Sequence, residues 1–67
     1  MEPIEFPRRN PHERIRISHQ VFKGTEMIDI RIFFLNKDNG WSPTQRGLRI
    51  TLQDAKGLKE ALEGALT

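Results

Sequence analysis

The sequence predicts an α+β chain in which four antiparallel strands precede one C-terminal helix, β-β-β-β-α. Three observations predict it: alternating apolar and polar residues from Arg14 to Leu35, an Asn39-Gly40 hairpin signal, and three- and four-residue apolar spacing after Leu52. Sixty-seven residues make one domain at most, and so short a chain draws only about 3 to 5 kcal/mol from its own core. There is no cysteine, and the only histidines are His12 and His19, so neither a disulfide nor a structural zinc site is expected to supplement that core. A partner chain is the remaining supplement, and a homodimer is expected.

Residues 1–13 read as a flexible N-terminal arm, because Pro3, Pro7 and Pro11 occur there without an apolar period and bar a central strand or a helix start. The folded part is expected over residues 14–67. From Arg14 to Phe22, Ile15, Ile17, His19 and Val21 share one face, opposite Arg14, Arg16, Ser18, Gln20 and Phe22. Lys23 and Gly24 supply a turn. A longer strand from Glu26 to Leu35 then sets Ile28, Ile30, Ile32 and Phe34 against Met27, Asp29, Arg31 and Phe33. After the polar turn Asn36 to Gly40, in which Asn39 and Gly40 both tolerate positive φ, a third strand begins at Trp41. Pro43 cannot donate a ladder hydrogen bond, so this strand should be short or lie at an edge. Gly47 marks a bend or bulge before a fourth strand, Leu48 to Leu52, with Arg49 facing out.

The helix is read from Leu52, Ala55, Leu58, Leu62 and Leu66, with Thr51 as its cap and Asp54 in its first turn, where the helix dipole favours a negative charge. Gly57 inside it costs roughly 1 kcal/mol relative to alanine. Gly57, Ala61 and Gly64 on one side would let a partner chain approach closely; a neutral glycine on the solvent face is the alternative.

Charge narrows the function classes. Arg8 to Arg49 holds nine basic residues against four acidic ones, while both ends of the chain lean acidic. Such a segment favours polyanions. No glycine pattern suits a nucleotide phosphate, no histidine spacing suits a metal and no nucleophile–base pattern occurs, so no catalytic residue, metal or cofactor is expected. His19 reads as a core or interface histidine. No apolar run is long enough for a signal peptide or membrane span, so no membrane contact is expected and the protein should be soluble and intracellular. It would be cytoplasmic and nucleoid-associated in a bacterium or virus, nuclear in a eukaryote.

Phe22 is the anomaly, because strand parity puts it on the polar face with Arg14 and Arg16. Exposed aromatics beside cations suit single-stranded nucleic acid, at about 1 to 3 kcal/mol per stacked base. Arg31 and Phe33 repeat the mixture on the next strand; a lone Phe22 could instead tuck under its turn.

Phe22-Lys23-Gly24, Ile28-Asp29-Ile30-Arg31, Pro43 with Arg46-Gly47-Leu48, and Thr51-Leu52 before a terminal helix resemble, in order and spacing, the transcriptional coactivator family called positive cofactor four. The resemblance runs from Arg14 to Leu66, covers that family's C-terminal single-stranded-DNA-binding domain, and is to the bacterial or phage type. It implies a curved four-stranded sheet with a helix, assembled as a homodimer whose paired β ridges hold single-stranded or unwound DNA. It points to Phe22 and Phe34 as stacking aromatics and to Lys23, Arg31 and Arg46 as cationic contacts; parity adds Arg16. Arg14, Phe33, Trp41 and Arg49 are further candidates, with packing the first reading of Trp41. Alternation turns Phe34 inward and Phe33 outward, and a bulge in the long second strand would reconcile parity with the family position.

Thr25, Ser42 and Gln45 stand where many members carry lysine or arginine, and Ala55 replaces a frequent tryptophan. The implied function is sequence-tolerant single-stranded DNA binding in transcription regulation, replication or repair, in company with that machinery. An RNA-binding role on the same surface and a protein-interaction adaptor are the alternatives.

Overall fold

A computed structural model of the chain describes residues 2–67. Four antiparallel strands, β1 (Ile4–Pro7), β2 (Glu13–Phe22), β3 (Thr25–Leu35) and β4 (Trp41–Thr51), form one open, curved sheet in the order β1-β2-β3-β4, followed by helix α1 (Leu52–Ala65). The expected fold class is present, but its four strands are not the expected four. The arm contains β1, which pairs Ile4 with Ile17 and Pro7 with Arg14. Proline is tolerated there because β1 lies at the sheet edge, where its missing N–H breaks no interior ladder. Met1, the start of the expected arm, lies outside the described residues. The two short strands expected after Trp41 are one strand.

Local chemistry fixes the turns. Lys23 and Gly24 have φ of 52° and 78°, the paired positive values of a two-residue hairpin that matches strand twist. In the loop from Asn36 to Gly40, Asn39 takes φ 62°, and the Asn36 Oδ1 accepts from the backbone N–H of Asp38 at 2.9 Å and of Gly40 at 3.0 Å. Thr51 caps α1 as expected, its Oγ1 accepting from the Asp54 N–H at 3.2 Å.

The ladder between β2 and β3 is continuous from Glu13↔Phe34 to Phe22↔Thr25. Between β3 and β4 it slips: Arg31 pairs with Gly47 but Phe33 with Pro43, so Thr44, Gln45 and Arg46 stand opposite Ile32 alone. The expected bulge in the long second strand is therefore corrected. It lies in β4, and β3 keeps its parity. Thr44 satisfies the irregular backbone by donating its hydroxyl to the Ile32 carbonyl at 2.7 Å and accepting the Arg46 N–H at 3.1 Å. Gly47 is required because a Cβ there would collide with the Ile30 carbonyl oxygen and lie 2.9 Å from the Arg31 Cα.

Parity divides the sheet. Ile4, Phe6, Ile15, Ile17, Ile28, Ile30, Ile32, Leu48 and Ile50 share one face by register. Yet no hydrophobic side chain is buried among the described residues; Val21 is 66% and Leu48 54% exposed. Among the described residues the helix touches only β3 and β4 of the sheet. A radius of gyration of 13.2 Å exceeds the roughly 11 Å of a compact domain this long, as an uncovered sheet should.

Candidate nucleic-acid interface

The opposite face is basic and aromatic, and its order comes from register. Arg16 lies across from Glu5 on β1 and Arg31 on β3, Arg14 across from Pro7 and Phe33, and Asp29 between Ser18 and Arg49. The Arg14 guanidinium lies 4.2 Å from the Trp41 ring centroid, Arg16 4.0 Å from Phe33, and Arg49 4.9 Å from Phe22. Lys23 Nζ is 5.5 Å from the same Phe22 ring. Three arginine–aromatic stacks therefore cross one face. Each ring offers an apolar plane beside a fixed positive charge, the combination that base stacking and phosphate contact require.

Two carboxylates organise these cations, and sequence reasoning assigned neither a role. Asp29, 4% exposed, is the one buried polar residue among the described residues. Its Oδ2 and Oδ1 accept from Arg31 Nε at 3.1 Å and Nη2 at 2.9 Å, and Arg49 Nε lies 3.9 Å from Oδ1. This bidentate contact holds the Arg31 guanidinium charged above its ordinary range. Arg31 Nη1 also donates to the Thr44 carbonyl at 3.0 Å, tying Arg31 to the β4 bulge. Its i, i+2 spacing from Asp29 was the available signal for the pair.

The second carboxylate is Glu5. Its Oε1 accepts from Arg14 Nη1 at 2.6 Å and its Oε2 from Arg16 Nε at 2.8 Å. Hydrogen bonds from Arg16, then Arg14, hold the Glu5 carboxyl below its ordinary value. No sequence signal placed Glu5 here, because its neighbours follow from β1 pairing with β2.

The sequence-derived candidates thus fall into two groups. Arg14, Arg16, Phe22, Lys23, Arg31, Phe33, Trp41 and Arg49 gather on the basic face or at its hairpin end. Phe34, 41% exposed, points to the other side, opposite Glu13 and Ser42. Arg46 is there too, near the β4 bulge, with Nη1 3.9 Å from Glu13 Oε2; Arg8 meets Glu13 Oε1 at 3.1 Å. His19 Nε2 lies 3.5 Å from Glu26 Oε1 beside the β2–β3 hairpin. Among the described residues no helix is long and apolar enough to cross a membrane.

Fold and face together define a class: a small sheet-and-helix protein with an arginine–aromatic surface. Residues 10–61 match the family described as Transcriptional Coactivator p15 (PC4), and the chain belongs to that family. The fold is similar to that of a PC4 homolog from Burkholderia pseudomallei K96243, with TM-score 0.84 and 26% identity over 96% of this chain and 86% of that one in the orthorhombic crystal form. The tetragonal form of the same homolog gives TM-score 0.80 and 24% identity over 98% and 100%. A bacteriophage T5 homolog of the eukaryotic coactivator PC4, implicated in recombination-dependent DNA replication, gives TM-score 0.71 and 23% identity over 98% and 78%. No curated protein sequence matches. The family and the bacterial and phage type of its relatives are those the sequence resemblance pointed to.

Proposed function

We propose that this protein is a homodimer that binds single-stranded DNA without strong sequence preference, in transcription regulation, replication or repair. The observation that carries this reading is the set of three arginine–aromatic stacks on one open face. A duplex hides its bases and here meets no helix suited to a major groove, whereas splayed bases can stack on Phe22, Phe33 and Trp41. Arg16, Lys23, Arg31 and Arg49 supply the charge beside them. Phe34 and Arg46, on the opposite face beside the β4 bulge, extend the path around the sheet.

The dimer rests on the uncovered apolar face. A second copy covers it and supplies the core that one chain lacks. Family membership supports the nucleic-acid part of the reading.

The test is a titration of labelled single-stranded DNA, matched RNA and duplex at two salt concentrations, with mass measured by light scattering. Tighter binding of single-stranded DNA by a particle of twice the chain mass is expected. Replacing Lys23 or Arg46 with alanine should flatten the dependence of log affinity on log salt by about 0.7 for each phosphate no longer neutralised. Equal duplex affinity would remove the stacking argument, RNA preference would redirect it, and absence of oligonucleotide binding would leave a protein-interaction adaptor.

A further inference from the structure

The Glu5 carboxylate sits between two arginines of the basic face. Both of its oxygens are taken, one by Arg14 at 2.6 Å and one by Arg16 at 2.8 Å, while those same arginines stack on Trp41 and Phe33. A phosphate bridging two guanidiniums needs the same pair of anionic oxygens in the same gap. Glu5 thus occupies both arginines and offsets half of their charge at one end of the basic face. The element that carries it is cheap to move. β1 is four residues long, exposed throughout, paired on one side only and ended by Pro7.

We propose that Glu5 is a built-in competitor for the nucleic-acid backbone, withholding Arg14 and Arg16 until the carboxylate swings away or β1 peels from β2. The proposal rests on the single-strand-binding reading and adds a control to it. Binding at the Phe22 end needs no displacement, because Lys23 and Arg49 flank that ring free of Glu5. Binding at the Trp41 end exchanges one anion for another, so it releases fewer counterions than two unpaired arginines would.

The experiment compares the full chain with Glu5→Gln and Glu2→Gln, using fluorescein-labelled oligothymidylate across a salt series. Glu2 is the control because it is exposed, contributes the same charge and makes no ion pair among the described residues. Glu5→Gln should bind about two- to thirtyfold tighter, the range set by releasing two exposed ion pairs. Its salt slope should steepen by about 0.7 for each additional phosphate neutralised. Glu2→Gln should match the parent. If Glu5→Gln behaves like Glu2→Gln while the parent binds, the competition is absent and the single-strand reading stands. Weaker binding by Glu5→Gln would overturn the proposal in favour of Glu5 as a positioning residue. If the parent itself does not bind, the nucleic-acid reading fails and the competition with it. Circular dichroism verifies that the variants fold.

Discussion

The two faces of this sheet solve opposite problems. On the basic face the main cations already have partners: Arg31 is held by Asp29 and the Thr44 carbonyl, Arg14 and Arg16 by Glu5 and by rings, and Arg49 by Phe22. On the apolar face isoleucines and leucines from all four strands lie side by side with little over them. Polar groups can satisfy one another within a single layer, because a hydrogen bond or ion pair needs only a neighbour in the plane. Apolar groups cannot, since removing their surface from water takes a second layer. One face is therefore organised within the chain, and the other is left largely uncovered by it.

The largest expected break in this comparison is at Gly47, where β4 lies too close to the β3 backbone for a side chain. Gly47→Ala forces the β4 bulge away from Ile30 and Arg31, and should cost about 2 kcal/mol or more of unfolding free energy in a denaturant titration. An unchanged midpoint would show that β4 shifts freely. Next, Leu48→Asp puts a charge on the apolar face alone. It should weaken self-association about a hundredfold in sedimentation runs, whereas Arg49→Ala, its neighbour on the basic face, should leave the mass unchanged and weaken oligonucleotide binding. Similar effects of both on mass would erase the division of labour.

The finest test separates adjacent rings. Phe33→Ala removes the platform under Arg16 and should cost about 1 to 3 kcal/mol of single-strand affinity while the fold is kept. Phe34→Ala, measured by the same titration and by thermal melting, sharpens the comparison. Loss of stability without loss of affinity places Phe34 with the apolar face; loss of affinity alone extends the binding path around the sheet edge.

Much of this was legible in the residues. The alternation from Arg14 to Leu35 specified β2, β3 and the occupants of their faces, because a strand's side-chain period is 2 whatever it pairs with. Lys23-Gly24 and Thr51 with Asp54 specified a turn and a helix start, since both depend on bonds within a few residues. β1 was hidden because Pro3 and Pro7 argue against a strand, and only an edge position beside β2 removes the objection. Gly47 was rightly suspect, but bend and bulge look alike in one dimension.

The sequence by itself determined the hairpin of β2 and β3, the helix, the basic and aromatic content of one face and the family resemblance, all consequences of local spacing. Tertiary structure alone decided that β1 joins the sheet, that Thr44, Gln45 and Arg46 bulge opposite Ile32, and that Glu5 meets Arg14 and Arg16. Each depends on the register between strands. Register is settled by which hydrogen bonds and contacts can form at once across a sheet, a sum over distant residues that no single segment contains.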